Sequence, residues 1–359
     1  MRISRLRAAD FRNIAFADLD FGGAQRIFLT GKNGQGKTNL LEAASLLTAL
    51  RSFRTRDSRV LVRAGKKAAQ VFIALEHERE GATELTVSLG ANGAKTAELG
   101  AGTPVRKLSD FVGRFPVVVF SSDDIALLRG APSGRRRWLD LTLSATDAEY
   151  FLCLQRYCRA LEARNRLLKQ PAAEDAQFDA FEKILAENGR RLVEIRSREM
   201  KKIAALFAAS ATEIARGAES PELVYEASAN APDDAAWREL FRRSRAQDKL
   251  LRATQKGPHR DDFRFRIFSR AAEDFASEGQ QRGMTLSLGL AQLALFRERL
   301  GVAPVVLADD VLGELDEARR AGFWAAVGSG LQVFATGTRP PDDAGAWRIF
   351  TVEAGTYRG

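Results

Sequence analysis

The fold of this chain is decided by one stretch, Gly31-Lys32-Asn33-Gly34-Gln35-Gly36-Lys37-Thr38, which fits the pattern G-x-x-x-x-G-K-[ST] at every fixed position. Residues 26–30 precede it with a short apolar run that predicts a buried strand. Residues 39–50 follow it with apolar side chains at helical spacing. A strand, a glycine-rich loop and a helix in this order predict a loop whose backbone N–H groups and helix N-terminus bind phosphate.

Two side chains of this loop are expected to act directly on a nucleotide. Lys37 would reach the β and γ phosphates, and the hydroxyl of Thr38 would bind Mg²⁺. The alternative is a glycine-rich turn with a chance lysine, which the flanking strand and helix disfavour. The sequence therefore predicts ATP and Mg²⁺ as cofactors, with nucleotide contacts from Gly31, Lys32, Asn33, Gly34, Gln35, Gly36, Lys37, Thr38 and Asn39.

The composition of the chain narrows the classes of protein to consider. Its 359 residues can bury a full hydrophobic core. No run approaches the roughly 18 apolar residues of a membrane helix, and no apolar signal core follows the basic N-terminus. The two cysteines and two histidines form no metal-binding pattern. We therefore expect a cytoplasmic protein that does not bind a membrane.

The chain has a net charge of +9, and its basic residues are clustered. The three clusters are Arg51, Arg54, Arg56, Arg59, Arg63, Lys66 and Lys67; Arg135, Arg136 and Arg137; and Arg190, Arg191, Arg196, Arg198, Lys201 and Lys202. Each cluster alone is typical of a solvated surface. Together, in a chain with a predicted nucleotide site, they favour a polyanionic partner, and DNA in particular.

The spacing of apolar residues divides the chain into two kinds of segment. Strand patterns occupy residues 1–30, 71–77, 84–89, 115–120 and 263–268, and helical spacing covers 147–217, with a break near Gln170 and Pro171, and 233–252. The end of the chain alternates helix 284–300, strand 305–308, helix 317–327 and strand 331–335, as in parallel α/β proteins. We predict an α/β lobe of residues 1–125 and 253–359 around one sheet, with a helical lobe of residues 126–252.

An apolar strand that ends in two carboxylates supplies the second half of the predicted site. Residues 305–308 lead directly into Asp309 and Asp310. In proteins with a phosphate loop, the first such carboxylate holds Mg²⁺, and a second acidic residue can polarise the attacking water. We therefore predict Asp309 as a metal ligand and Asp310 as the catalytic base, with Lys37 completing the catalytic set. The alternative is an acidic turn that caps the next helix.

The segment Ser277-Glu278-Gly279-Gln280-Gln281-Arg282 precedes another predicted helix. A serine and a glycine at a helix N-terminus offer a hydroxyl and backbone N–H groups to an anion. The loop around Lys37 already accounts for its own phosphates, so this segment predicts a contact with the γ-phosphate of a second subunit. Taken alone, it would equally fit an ordinary N-cap.

These motifs together resemble the ABC-type ATPase heads of the SMC class and, within that class, the RecF family of bacterial recombination mediators. The resemblance runs almost from end to end. It is carried by the phosphate loop, by Phe11-Arg12-Asn13, and by residues 134–140 (GRRRWLD), 256–262 (KGPHRDD), 277–282 (SEGQQR) and 309–316 (DDVLGELD). The Gly-Pro-His-Arg-Asp block is the part most specific to RecF.

The resemblance implies a fold, a set of contacts and partners. The fold would be an ABC-type ATPase head with a central mixed sheet and a mainly helical second lobe. Arg12 and Asn13 would lie near the nucleotide, and Ser277, Gly279 and Gln280 would contact it from the other subunit of a homodimer. The chain would be a slow ATPase that binds double-stranded DNA and single/double-strand junctions. RecR and RecO would be its partners in recombinational repair and RecA loading.

Three positions depart from the family pattern. Glu278 replaces a glutamine in the signature, which would place a carboxylate near a phosphate and weaken pairing. Residues 122–124, Ser-Asp-Asp, replace Pro-Glu-Asp. The histidine usual in ABC-type heads is absent after residues 331–335, and Thr336 is predicted to contact the γ-phosphate instead.

Two alternative functions remain open on the residues alone. One is an ABC-type ATPase subunit of a transporter or protein assembly that binds no DNA. The other is a scaffold that binds ATP but barely hydrolyses it, because Asp310 stands where a glutamate is more usual.

Overall fold

The first sheet of the protein is antiparallel, with strand order β2-β1-β4-β5-β6-β7. The computed structural model describes residues 1–100, 102–171, 174–215, 220–311, 313, 315–340 and 346–359. The strands of this sheet are β1 (Arg2–Phe11), β2 (Ile14–Asp20), β4 (Ala68–His77), β5 (Gly81–Gly90), β6 (Lys95–Leu99) and β7 (Thr103–Pro104). Buried and exposed residues largely alternate along β1 and β4, because one face of the sheet covers the core.

The second sheet is mixed, with strand order β15-β14-β3-β13-β12-β8. Its strands are β3 (Arg26–Thr30), β8 (Val117–Ser121), β12 (Val305–Asp309), β13 (Val333–Gly337), β14 (Arg348–Glu353) and β15 (Thr356–Arg358). All neighbours pair in parallel except β14 and β15. Every residue of β12 is buried, as expected of a parallel strand covered on both faces. The predicted central mixed sheet is therefore confirmed.

Helices connect and flank these strands. Their bounds are α1 (Lys37–Ala49), α2 (Ile125–Arg129), α3 (Pro132–Thr146), α4 (Ala148–Leu167), α5 (Asp175–Ile214), α6 (Asp234–Leu251), α7 (Ala272–Phe275), α8 (Glu278–Leu300) and α9 (Glu317–Val327). Three further strands form a small antiparallel sheet: β9 (Pro221–Glu226), β10 (Asp262–Ile267) and β11 (Arg270–Ala271). Along the chain, these strands lie between α5 and α7. Helix α3 lies within the predicted helical lobe but before the helical spacing at residues 147–217, and α8 begins six residues before its predicted start at Met284.

The chain divides into two compact units. The first contains Met1–Asp124, the end of α5 and Leu286–Gly359; the second contains Ile125–Ala211 and the described residues from Ser220 to Thr285. The first break lies next to the predicted boundary at residue 125. Residues 253–285, however, cluster with the helical unit, because β10 pairs with β9. The assignment of residues 253–285 to the ATPase lobe stays a prediction.

One apolar core fills the first unit. Its buried members come from both six-stranded sheets and from α1, and they include Ile3, Val71, Leu29, Leu41 and Leu307. The expectation that this lobe folds around one sheet was wrong. The antiparallel strands β1 and β4 carry their apolar residues in alternation, so they need a second apolar layer to cover that face.

Candidate nucleotide site

The phosphate loop runs from the end of β3 to the start of α1. Gly34 and Gly36 adopt φ angles of 79° and 114°, a region that favours glycine. Gly36 is also the N-cap of α1, and a side chain there would come within 2.8 Å of Asn13 Oδ1. The glycines predicted from the motif are therefore required by the backbone, and they direct the first turn of α1 toward the loop.

The end of the chain supports this loop. The Tyr357 hydroxyl donates to the carbonyl oxygen of Gly36 over 2.8 Å. The backbone N–H of Gly355 donates to the Gln35 carbonyl over 2.8 Å, and that of Ala354 donates to Gln35 Oε1 over 2.7 Å. Strands β14 and β15 were not predicted, although they fix the conformation of the predicted site.

Lys37 is buried, and its ammonium group lies at the loop. Its Nζ donates to the carbonyl oxygens of Gly31, at 2.7 Å, and Lys32, at 3.1 Å. Only 3% of the residue is exposed. A buried lysine whose bonds go only to backbone carbonyls is available to exchange them for phosphate oxygens, which carry a full opposite charge.

Thr38 and Asp309 come together from the two predicted halves of the site. The Thr38 hydroxyl donates to Asp309 Oδ1 over 2.8 Å. Burial raises the pKa of the Asp309 carboxyl, and the hydrogen bonds from Thr38 and Thr336 oppose that shift. Two adjacent side-chain oxygens, one of them from a carboxylate, fit the preference of Mg²⁺ for oxygen and for few protein ligands.

Thr336 links Asp309 to Asp310. Its hydroxyl donates to Asp309 Oδ1 over 3.0 Å and accepts from the backbone N–H of Asp310 over 2.9 Å. Asp310 has a left-handed φ of 55°. The two predicted carboxylates therefore lie next to each other and share one bonding partner.

Asn13 contacts the phosphate loop, and Arg12 contacts the helix that follows it. Asn13 Nδ2 donates to the Gln35 carbonyl over 3.2 Å, and Asn39 Nδ2 donates to Asn13 Oδ1 over 2.7 Å. Arg12 makes a two-point contact, at 2.8 Å each, with Glu42 of α1. Asn13 and Asn39 thus bond to each other at the loop, whereas Arg12 is paired with Glu42 of α1.

Glu42 and Arg54 are site residues that the sequence reasoning missed. Glu42 is fully buried and also accepts a hydrogen bond from Ser52. Arg54 lies 3.7 Å from Glu42, and its Nη1 donates to Asn39 Oδ1 over 3.4 Å. A lone glutamate in the apolar run Leu-Leu-Glu-Ala-Ala was the available signal, because buried charges need partners. This cluster joins the first basic stretch to the phosphate-loop helix.

A third carboxyl group also lies near Asp309. Asp124 follows β8, whose last residue, Ser121, is the register partner of Asp309. Asp124 Oδ2 accepts from the backbone N–H of Ser121 over 2.8 Å. Desolvation raises the pKa of Asp124 to about 7, and the charges of Asp123 and Asp309 add to the shift.

The signature segment begins helix α8 in the second unit. Ser277 Oγ accepts from the Gln280 backbone N–H over 3.3 Å, while Gln280 Oε1 accepts from the Ser277 backbone N–H over 2.8 Å. This reciprocal pair is a capping box. The Ser277 hydroxyl hydrogen and the Gln280 amide hydrogens are not used in it, so both can still bind an anion. Glu278 pairs with Arg282 over 3.0 Å, which offsets its charge.

Comparison with known proteins identifies the family. A relative from Symbiobacterium thermophilum, named DNA replication and repair protein RecF, is 37% identical over 369 residues, which cover 99% of this chain and 98% of the relative. One of the same name from Thermosynechococcus vestitus is 36% identical over 370 residues, covering 99% and 97%. The chain belongs to the RecF family. The interpretation as a DNA replication and repair protein is confirmed at that level.

Solved structures agree with this RecF assignment. The structure of the recombination mediator protein RecF with ATP superposes with a TM-score of 0.90 at 29% identity, covering 99% of this chain and 97% of that one. An Smc head bound to the C-winged helix domain of ScpA gives a TM-score of 0.56 at 15% identity and shows a shared fold only. The predicted ABC-type head fold is confirmed. No protein-family model matches the chain.

The RecF-like Gly-Pro-His-Arg-Asp block is held by buried contacts in the second unit. His259 Nε2 bonds to the Thr254 carbonyl at 2.9 Å, so this nitrogen carries the hydrogen, and Nδ1 accepts from the Tyr157 hydroxyl at 2.7 Å. Burial lowers the pKa of His259 to about 4. These buried contacts are those of a structural histidine.

Several arginines of the second and third basic clusters are structural in this RecF-family chain. Arg135 is buried and pairs with Asp262 at 2.7 Å. Arg196 is buried and pairs with Asp261 and Asp140 at 2.8 and 2.7 Å. Because these charges are neutralised internally, they do not contribute to a DNA-binding surface.

Within the described residues, no helix is both long and apolar enough to cross a membrane.

Proposed function

We propose that this RecF-family chain is an ATPase that binds ATP and Mg²⁺ at the Lys37 loop and pairs with a second copy of itself on DNA. The contact between Thr38 and Asp309 carries the proposal, because it brings the loop and the acidic strand together in one site. The nucleotide contacts proposed are residues 31–39, Arg12 and Asn13 of one chain and Ser277, Gly279 and Gln280 of the second copy, with Thr38 and Asp309 as metal ligands. Bound Mg²⁺ would neutralise charge on the phosphates.

The residues of the site have distinct tasks in this proposal. Lys37 moves its ammonium from the Gly31 and Lys32 carbonyls to phosphate oxygens. Asp310 orients and deprotonates the attacking water. Ser277 of the second copy donates its hydroxyl to the γ-phosphate, and the first turn of α8 adds backbone N–H groups. Turnover then requires the dimer and is slow, so hydrolysis acts as a switch that releases DNA.

The DNA surface proposed is the basic segment after α1. Arg51 and Lys67 are exposed, and Ser58 bonds to the Gly93 carbonyl over 3.5 Å, next to Lys95. Burial lowers the pKa of Lys95, and the charge of the nearby Arg51 lowers it further. Two chain segments thus contribute like charges to one surface, which double-stranded DNA and strand junctions would neutralise. RecR and RecO are the proposed protein partners, in recombinational repair and RecA loading.

A titration of DNA affinity against salt tests the proposal. With ATP and Mg²⁺, log K for a labelled duplex should fall steeply with log salt, by about 0.9 per phosphate contact. Reversing Arg51 and Lys67 to glutamate should reduce both affinity and slope, whereas the same change at Arg242 and Arg243, which are exposed on α6 and paired with Glu239, should not. Absent or salt-insensitive binding would favour the ATPase that serves a protein assembly.

A further inference from the structure

Thr336 occupies an unusual place in the candidate site. It lies on β13, beside β12, where Ala335 is the register partner of Ala308. Thr336 is the next residue of β13, and Asp309 is the next residue of β12. Only 1% of Thr336 is exposed. Its side chain therefore acts inside the protein, on the end of the acidic strand.

A threonine hydroxyl has one hydrogen to donate and two lone pairs that can accept. Thr336 donates that hydrogen to Asp309 Oδ1, the same oxygen that Thr38 bonds, and it accepts from the Asp310 backbone N–H. Since the single hydrogen is committed to Asp309, donation to a γ-phosphate, as predicted from the sequence, would break this bond.

The hydrogen bond from the Asp310 backbone N–H to Thr336 constrains a backbone conformation that is not that of a strand. Asp310 has a φ of 55°, in the left-handed region, immediately after five buried strand residues. Such conformations persist where the surroundings hold them. One hydroxyl thus orients the carboxylate of Asp309 and fixes the backbone from which the side chain of Asp310 projects.

We propose that Thr336 is a positioning residue that couples the metal-binding carboxylate of Asp309 to the base, Asp310. The expected effect on turnover rests on the proposed function, but the hydrogen bonds of Thr336 exist independently of that function. Loss of the hydroxyl should misplace both groups together, although Thr336 itself need not contact nucleotide or metal.

The test compares Thr336→Val, which keeps the shape and removes the hydroxyl, with Thr336→Ser, which keeps the hydroxyl. Thr336→Val should raise the Mg²⁺ concentration for half-maximal turnover and lower kcat, each about tenfold, since an unmade buried hydrogen bond has a cost of that order. Binding of a fluorescent ATP analogue without Mg²⁺ should change less than about twofold, and Thr336→Ser should restore turnover.

Amide hydrogen exchange at Asp310, resolved by mass spectrometry, provides a readout without ATP. Exchange should be slow in the wild type and in Thr336→Ser and fast in Thr336→Val; Thr336→Ala replaces the valine variant if that variant does not fold. Unchanged exchange and Mg²⁺ dependence in Thr336→Val would overturn the inference, as would equal defects in the serine and valine variants. A wild type that shows the exchange pattern but binds no ATP would overturn the proposed function alone.

Discussion

The Thr38 hydroxyl donates to Asp309 Oδ1 over 2.8 Å, although 271 residues separate the two along the chain. The strand order β3-β13-β12 makes this contact possible. Thr38 follows the loop after β3, and Asp309 ends β12, so the carboxyl ends of parallel strands carry both groups. Ligand sites in α/β sheets characteristically form at that edge.

Lys37→Ala should abolish measurable ATP binding and turnover, because no other ammonium within the described residues bonds to the loop carbonyls of Gly31 and Lys32. Isothermal titration with ATP and Mg²⁺ would measure this. Lys107→Ala, at an exposed lysine before a short 3₁₀ helix, is the matched control and should bind normally. Normal turnover in Lys37→Ala would refute the phosphate-loop assignment.

Asp310→Asn should leave ATP affinity within about twofold and reduce turnover by about a hundredfold, the scale of a general base. Single-turnover measurements separate binding from chemistry. Asp309→Asn should differ from it, because loss of the metal ligand should also remove the Mg²⁺ dependence of binding. If Asp310→Asn hydrolyses ATP at the wild-type rate, another group activates the water.

Ser277→Arg should keep the ATP affinity of the single chain and lose both the dimer and turnover. The larger, charged side chain would occupy the space at the first turn of α8 where the partner's γ-phosphate is proposed to bind. Ser109→Arg, at another exposed serine, is the control for the added charge. A Ser277→Arg variant that binds no ATP at all would place the serine in the site of its own chain.

His259 should make stability depend on pH. Burial lowers the pKa of His259 to about 4 in the folded chain. As the pH falls below about 6.5, the unfolded chain therefore binds a proton at this residue that the folded chain does not bind. Stability is thus full above pH 6.5 and falls as the pH drops toward 4. Between pH 7 and pH 5 the wild type should lose about 2 kcal/mol relative to His259→Gln, which stays neutral.

Urea unfolding of both proteins at several pH values gives that difference, and all other titrating groups cancel in it. A constant difference across this pH range would contradict a neutral, buried His259.

Arg164 should be a large contributor to the stability of the second unit. It is fully buried and bonds to Glu182 and Asp248 at 3.0 and 2.7 Å. Arg164→Met removes the charged partner of Asp248 and one of the two arginines that bond to Glu182, of which Arg245 remains, and should cost about 3–5 kcal/mol. Arg242→Met, which breaks an exposed pair on α6, should cost less than about 1 kcal/mol.

Tryptophan fluorescence during urea unfolding reports on this unit through Trp138 and Trp237, and on the first unit through Trp324 and Trp347. Equal losses of stability in the two variants would show that the buried cluster adds nothing specific.

Local motifs predicted which residues come together at the candidate site better than they predicted the contacts that support those residues. Lys37, Thr38 and Asp309 were assigned because the phosphate loop and the acidic strand each have a pattern in adjacent residues. The contact of Thr336 with Asp309 depends on which strands are neighbours, and no local pattern encodes that order. The brace from Tyr357 to Gly36 was missed for the same reason.

Charge was the least reliable guide in the sequence. Arg135 and Arg196 were grouped with surface arginines, yet Asp262 and Asp261 neutralise them inside the second unit. These partners lie 127 and 65 residues away, so spacing could not reveal them. Strand β12 and helix α9, in contrast, were predicted within one residue because continuous burial and an acidic N-cap leave clear local signals.

The central claim is that two copies of the chain hold each ATP between them. Sedimentation of Asp310→Asn with saturating ATP and Mg²⁺ tests it most directly, because blocked turnover should preserve the paired state. We predict twice the 39.5 kDa mass of the single chain, and the single mass once Ser277→Arg is added to the same protein. A mass of 39.5 kDa with ATP demonstrably bound would contradict the account.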